Sequence, residues 1–274
     1  MSPAQVAGRI QWNKQLWREN VFLGEPGRTN YDLTFTLFGF PIRVHPAFFI
    51  MPVLLGRGLL SPNVNAGVGL VIIMAIFFVS ILVHELGHAV AFRYYGIRSR
   101  IVLYWMGGLA IPENSGWGNS HSLNSNQQIV VSLAGPVFGF LLAGLLIGIV
   151  YLAGGSMYLY DGRIPIPLPD LRGTVLAKDT LLMVFAGGIL INIFLNALNL
   201  APIYPLDGGQ VARHVMLQMD VRNGLKNSIF LSIGAAILIT LFALSTGDRF
   251  MAFFFGFMAW SNFQLLQSYG RSSW

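Results

Sequence analysis

The sequence contains no cysteine, and only 10% of its 274 residues are charged. The lack of cysteine excludes disulfide bonds, cysteine-based catalysis and cysteine metal ligands. Hydrophobic residues make up 54% of the chain, which is typical of a polytopic membrane protein. No nucleic-acid-binding motif is present, and the net charge of +6 is expected to reflect orientation in the membrane. The composition therefore predicts an all-α protein that crosses the lipid bilayer several times.

Six apolar segments are long enough, or nearly long enough, to cross a bilayer as helices. They cover approximately residues 46–60, 67–92, 129–153, 180–200, 228–245 and 250–266. The first is short and the last is interrupted by polar residues. We therefore expect about six transmembrane helices in one domain of residues 45–274, preceded by a cytoplasmic or interfacial segment of residues 1–44.

Lysine and arginine are unevenly divided between the segments that connect these spans. One side of the six-span scheme receives 12 of the 17 basic residues. Because cytoplasmic connections carry the excess of positive charge, both termini are expected in the cytoplasm. The N-terminal forty residues show no cleavable signal pattern.

Residues 84–88 read His-Glu-Leu-Gly-His near the cytoplasmic end of the second apolar segment. Residues four apart share one face of a helix, so His84 and His88 can bind one metal ion. Glu85 lies close enough on the helix to act on a water molecule at that ion. Ionisable side chains inside a membrane span are costly to insert, which indicates a functional site. The alternative is a polar patch at the level of the lipid headgroups.

Residues 199–209, Asn-Leu-Ala-Pro-Ile-Tyr-Pro-Leu-Asp-Gly-Gly, end the fourth apolar segment. In the predicted topology they reach the same membrane depth as His84. Pro202 and Pro205 break the helix, and a broken helix at that depth is tolerated only where it is buried in protein or lines a cavity. Asp207 is therefore predicted to be the third metal ligand, the alternative being an ordinary interfacial turn. Other candidates for the third ligand are His45, His121 and His214.

These two motifs together resemble those of the site-2 protease family of intramembrane zinc metalloproteases. Weaker similarities occur at residues 41–45, 106–108 and 134–136, so the resemblance extends over most of the chain. It implies a minimal form without a PDZ or CBS domain. One departure is Gly139, where family members often have a polar residue.

The resemblance implies one Zn²⁺ per chain, bound by His84, His88 and Asp207, with Glu85 and Asn199 as catalytic residues. Zinc would lower the pKa of a water molecule to roughly 7. Glu85 would take a proton from this water and pass it to the leaving amine. Asn199 is expected either to stabilise the developing oxyanion or to hydrogen-bond between helices. For Asn192 and Asn196, which recur at helical spacing before it, the helix-packing role is favoured.

The implied function is hydrolysis of peptide bonds within or next to the transmembrane segment of a single-pass protein or peptide. The implied location is the bacterial inner membrane, with the active site near the cytoplasmic face. An ion- or proton-coupled transporter that uses the same residues is the alternative, but the inverted repeat expected of it is not evident. The substrate's identity, its pathway and the oligomeric state stay open.

The connection of residues 97–128 is a candidate lining for a route by which water reaches the site. Residues 100–111 are rich in β-branched and aromatic residues and contain two adjacent glycines, which favours a β-hairpin or a re-entrant loop. An exposed edge of such a hairpin could accept an extended substrate by strand addition. A plain amphipathic connection is the alternative. Residues 113–128 are predicted to form a flexible loop.

Overall fold

The computed structural model describes residues 25–56, 60–113, 123–160 and 166–271. Predictions for most of the N-terminal segment, for His121 and for most of the loop after residue 113 therefore lie outside the described residues. The helices are α1 (Ile50–Leu55, which follows a 3-10 turn at Pro46–Phe49), α2 (Ala66–Tyr94), α3 (Ser125–Leu152), α4 (Asp179–Asn199), α5 (Asp207–Met219), α6 (Gly224–Thr246) and α7 (Arg249–Arg271). The strands are β1 (Leu33–Leu37), β2 (Phe40–Val44), β3 (Ser99–Tyr104), β4 (Gly107–Pro112), β5 (Ser156–Tyr160) and β6 (Ile166–Asp170).

Four of the described helices, α2, α3, α4 and α6, are long and apolar enough to cross a membrane. Their most apolar windows have mean hydropathies between 2.2 and 2.9. The chain is thus an integral membrane protein with a mostly helical fold, as the composition predicted. The last predicted span forms α7, a 23-residue helix that is less apolar because residues such as Asn262 interrupt it.

In its described residues, the first predicted span does not form one helix of membrane-spanning length. It contains the 3-10 turn and the six residues of α1. Nevertheless, the segment between β2 and α2 runs antiparallel to α2 and in contact with it, because Gly56 lies against Ile73 and Leu60 lies against Gly69. The 29 residues of α2 extend over roughly 43 Å at 1.5 Å per residue. The described residues that run beside α2 from β2 to its start are helical only over residues 46–55.

A four-stranded sheet of order β1-β2-β3-β4 lies beside the end of α2. Strands β3 and β4 are antiparallel and occupy the segment for which a hairpin or re-entrant loop was predicted. Strands β1 and β2 form a second hairpin, and β2 pairs with β3 in parallel. The sheet is therefore larger than the single hairpin that the sequence predicted. A small second sheet pairs β5 with β6.

Arg43 on β2 ties the residues before β1 to this sheet. Its buried guanidinium donates to Asp32 at 2.8 Å and to Glu25 at 2.9 Å, and it also donates to the carbonyl oxygens of residues 26 and 27. Hydrogen bonds from Thr29, followed by the contact with Arg43, lower the pKa of Asp32 to about 2. Glu25 also accepts a hydrogen bond from Arg100 on β3. This network fixes the N-terminal end of the described chain to strands β2 and β3.

Candidate metal centre

The structure places His84 and His88 side by side within α2. Both side chains are buried, and their Nε2 atoms are 3.1 Å apart. Helix α3 approaches closely here, because an added Cβ at Gly87 would overlap the carbonyl of Ala134 and one at Gly135 would overlap both imidazole rings. The glycines thus allow α3 to cover the two histidines without filling the space between their Nε2 atoms.

Asp207 completes the cluster from the first residue of α5. One carboxylate oxygen lies 3.1 Å from Nε2 of His84, and the other lies 3.3 Å from Nε2 of His88. The structure thus brings together two segments that lie more than a hundred residues apart in the sequence. Gly208 and Gly209 allow the start of α5 to lie directly against the preceding turn, since a Cβ on either would overlap backbone atoms of that turn.

The turn between α4 and α5 is held by the last two helices. Ser232 on α6 accepts a hydrogen bond from the backbone N–H of Tyr204 at 3.1 Å, and Asn262 on α7 donates to the carbonyl of Tyr204 at 2.6 Å. Both Ser232 and Asn262 are buried. Since these hydrogen bonds hold the turn just before Asp207 in place, the position of the carboxylate depends on α6 and α7 as well as on its own helix.

The donor set fits a zinc ion. Ligand atoms about 2.0–2.1 Å from a tetrahedral zinc are separated from each other by roughly 3.3 Å. The two Nε2 atoms are 3.1 Å apart, and the two carboxylate oxygens of Asp207 lie 3.1 Å from Nε2 of His84 and 3.3 Å from Nε2 of His88, which are separations close to this value. Two imidazoles and one carboxylate are also a ligand set that zinc enzymes use, with a fourth position left for water or substrate.

The outer nitrogen of each imidazole contacts an oxygen atom. Nδ1 of His84 lies 2.7 Å from Oδ1 of Asn196, and Nδ1 of His88 lies 2.7 Å from the carbonyl oxygen of Val131. Because both oxygens can only accept, Nδ1 carries the proton in each ring and Nε2 presents its lone pair to the centre. This is the tautomer that a metal-binding histidine requires, with its orientation set by an outer contact.

Glu85 is buried between the histidines and strand β4. Its carboxylate accepts a hydrogen bond from the backbone N–H of Ala110, and a Cβ on Gly108 would overlap its side chain. Tyr104 lies nearby, and its burial, aided by the charge of Glu85, raises the pKa of its phenol to about 12. The sheet therefore covers the side of the site on which Glu85 lies and presents a glycine where the backbone approaches it most closely.

The remaining candidates occupy other places. His45 caps the 3-10 turn, with Nδ1 accepting from the N–H of Ala47. His214 is two turns beyond Asp207 on α5, about 10 Å along the helix. Asn199 is half-buried at the last residue of α4. The residue that contacts His84 is instead Asn196, to which the sequence assigned only a packing role.

The sequence contains a signal for the position of Asn196. Asn192 and Asn196 are four residues apart on α4, as are Ser80 and His84 on α2. In the structure these pairs match, because Asn192 donates to Ser80 at 2.8 Å and Asn196 contacts His84. Polar residues that share a spacing on two apolar helices thus indicate both the pairing of the helices and the partner of each side chain.

Comparison with known proteins gives an independent view of the chain. The family model described as peptidase family M50 matches residues 72–241, a stretch that includes the two histidines, Glu85 and Asp207. A zinc metalloprotease of Methanocaldococcus jannaschii is 26% identical over 190 residues, and a protein of Synechocystis sp. is 29% identical over 200 residues. The matches cover 68% and 67% of this chain, but only 46% and 44% of those two proteins, so the chain spans less than half of their length.

Among solved structures, the site-2 protease from Methanocaldococcus jannaschii has a similar fold. The TM-score is 0.52 at 21% sequence identity, and the match covers 86% of this chain and 95% of the other. At this identity the similarity concerns the arrangement of the helices and the sheet.

Proposed function

Because the chain belongs to peptidase family M50, the family of the site-2 proteases, we propose that it is an intramembrane zinc metalloprotease. The family predicted from the sequence motifs is thereby confirmed. The observation that carries the proposed activity is the contact of Asp207 with the buried His84 and His88, with buried Glu85 beside them, within a bundle of apolar helices. The transporter alternative is not favoured, since the family is one of peptidases.

We assign one Zn²⁺ per chain to His84, His88 and Asp207. When bound, zinc supplies a Lewis acid that acidifies water and polarises the scissile carbonyl. Burial of both histidines and of Glu85 lowers the local dielectric constant, which strengthens the electrostatic contacts that they make. The two imidazoles are neutral in the tautomer fixed by their outer contacts, so Asp207 and Glu85 together balance the charge of the ion.

Glu85 is proposed to act as the general base and then as the general acid. It accepts a proton from water and delivers it to the leaving amine of the cleaved peptide bond. The N–H of Ala110 holds its carboxylate in place, which reduces the movement that the proton transfers require. Asn199, at the end of α4, is proposed to donate a hydrogen bond to the carbonyl oxygen as negative charge develops on it.

The substrate is proposed to be a membrane protein, cut within or next to a single transmembrane segment. A helix buries its own peptide groups in hydrogen bonds, so a scissile bond must be presented by an extended stretch. Strand β4 is the last strand of the described sheet, and the N–H of Ala110 points towards Glu85, away from β3. We propose that an extended substrate pairs with this edge of β4 and thereby places its peptide bond beside Glu85.

The proposed topology has six crossings, with residues 45–65 and α7 added to the four spans described above. Both termini are placed in the cytoplasm, with the metal centre near the cytoplasmic face, in a bacterial inner membrane. The return of residues 45–65 along α2 supports the first of these additional crossings. The asymmetric distribution of lysine and arginine supports the orientation.

The proposed activity is tested with purified wild-type and Glu85→Gln protein and a model single-pass substrate. We expect the variant to keep its zinc but to lose activity by about 10²- to 10⁴-fold, as is typical when a general base is removed. Glu113→Gln serves as a matched control, because Glu113 lies after β4 and outside the metal cluster. Equal cleavage by Glu85→Gln and wild type would refute the protease assignment.

A further inference from the structure

We propose that Asn196 is a positioning residue for the metal ligand His84, and that Gly139 provides the space that its side chain occupies. The inference rests on the proposed zinc site and concerns the residue that orients one of its ligands. It assigns to Asn196 a role in metal affinity that its place on an apolar helix does not suggest.

The orientation of the Asn196 amide is fixed by its own hydrogen bonds. Its Nδ2 atom donates to the backbone carbonyl of Asn192, one turn earlier on α4. A carbonyl oxygen can only accept, so this contact requires the NH₂ group, and Oδ1 must face Nδ1 of His84. The side chain is fully buried, and therefore no water competes for Oδ1. The amide consequently holds His84 in the tautomer that leaves Nε2 free for the metal.

A second contact fixes the position of Asn196 along the helix axis relative to His84. One turn away along the same two helices, Nδ2 of Asn192 donates to Ser80 and to the carbonyl of Gly188, each at 2.8 Å. Both Asn192 and Ser80 are buried. A shift of α4 along α2 would break the contact with Ser80 as well as that with His84, so the two contacts resist the same movement.

Gly139 limits the side chain of Asn196 from the side of α3. A Cβ at this position would overlap three atoms of the amide group, Nδ2, Cγ and Oδ1. Any residue other than glycine would therefore push the amide out of the position in which it reaches His84. Gly139 lies one turn after Gly135, which packs against both imidazoles, and two turns after Val131, whose carbonyl contacts His88, so one face of α3 packs against both histidines and the amide of Asn196.

The two histidines differ in how their outer contacts are supplied. His88 uses a backbone carbonyl, which no substitution removes, whereas His84 depends on one side chain. That side chain is a neutral amide, although a carboxylate would be the stronger acceptor. The centre already contains Asp207 and Glu85, and a third buried carboxylate would leave it with excess negative charge in a low-dielectric region.

The test measures metal binding directly. Wild type, Asn196→Ala, Gly139→Ala and the double variant are purified, stripped of metal and titrated with zinc against a chelator. We expect each single variant to bind zinc about 10- to 100-fold more weakly, as is typical when an outer partner of a metal-binding histidine is lost. In the double variant the amide is absent, so Gly139→Ala should add less than about a twofold further loss to Asn196→Ala.

The visible absorption of bound Co²⁺ provides a readout that a general loss of stability would not change. We expect the bands of Asn196→Ala and Gly139→Ala to differ from those of wild type and to resemble each other. Gly144→Ala is the control on the same helix, since a Cβ there meets no atom within 4 Å. It should match wild type in zinc affinity and in the Co²⁺ spectrum. Thermal unfolding of the metal-free proteins identifies any variant that does not fold. If Gly139→Ala does not fold, Asn196→Ala decides the proposal; if Asn196→Ala does not fold, Gly139→Ala decides it.

Three results would each overturn a different part of the proposal. If Asn196→Ala binds zinc as tightly as wild type while Asp207→Ala does not, the role of Asn196 is wrong and the zinc site stands. If the losses from Asn196→Ala and Gly139→Ala are additive, the steric link between them is wrong. If Asp207→Ala keeps the wild-type affinity, the proposed zinc site itself fails.

Discussion

Oδ2 of Asp207 lies 3.1 Å from Nε2 of His84, although the two residues are more than a hundred positions apart and lie on different helices. The contact joins α2 to the start of α5, and it is secured by the turn that α6 and α7 hold. The metal centre therefore depends on the assembly of the bundle.

Removal of the Asp207 carboxylate should abolish tight zinc binding. We expect about one zinc per wild-type chain and a sharp fall in Asp207→Ala, because two imidazoles on one helix turn give only a weak site. Metal analysis of protein purified without chelators measures the content. Asp220→Ala is the matched control, since Asp220 accepts hydrogen bonds from Asn223 in the loop after α5. Unchanged zinc in Asp207→Ala would contradict the ligand assignment.

A methyl group on Gly108 should impair catalysis without removing zinc. The new Cβ would overlap the side chain of Glu85, and a displacement of about 1 Å can cost up to roughly 10²-fold in rate. We expect Gly108→Ala to lower kcat about 10- to 100-fold, measured on a model transmembrane substrate beside zinc analysis. Gly148→Ala, whose Cβ meets nothing within 4 Å, should behave as wild type. A fully active Gly108→Ala would argue against this position of Glu85.

Loss of the Ser232 hydroxyl should destabilise the turn before Asp207. Ser232→Ala removes the acceptor for the N–H of Tyr204, and leaving a buried donor unsatisfied costs about 1–3 kcal/mol. We expect a lower Tm and weaker zinc retention. Thr240→Val is the comparison on the same helix, because the Thr240 hydroxyl donates only to the carbonyl one turn earlier. Equal zinc retention in the two variants would show that the turn does not need this contact.

The contribution of Asp32 to stability should depend on pH. Its pKa is lowered from 3.8 to about 2 by the bonds from Thr29 and then by Arg43. A lowered pKa in the folded state gives stability that is present above the ordinary pKa and is lost as the pH falls towards the folded value. We therefore expect Asp32→Asn to lower Tm at pH 7, with a difference from wild type that shrinks between about pH 4 and pH 2. A difference that stays constant over this range would contradict the ionised pair.

The local part of the site could be predicted from the sequence, because residue spacing on a helix decides which side chains share a face. His84, Glu85 and His88 follow from this rule alone. The meeting of Asp207 with the histidines follows from counting membrane crossings and from the helix break at Pro202 and Pro205. These arguments need hydropathy and topology, but no detail of side-chain packing.

The part that could not be predicted depends on contacts between distant segments. The role of Asn196 depends on the axial position of α4 relative to α2 and on the space beside Gly139. Hydropathy gives no information on either. Likewise, β2 pairs in parallel with β3 only after the chain has passed through the whole of α2. Its five residues look like the approach to a membrane span, since the pairing partner lies nearly sixty residues later.

The parallel pairing of β2 with β3 also has a mechanical consequence for the helix between them. The chain leaves the sheet at Val44, passes through α2 and returns to the neighbouring strand at Ser99, so both ends of this circuit are anchored in the same small sheet. Tension on the residues before β1 would first load the Arg43 contacts and the sheet. A displacement of the sheet would then move both connections to α2 together, since each begins on one of two paired strands.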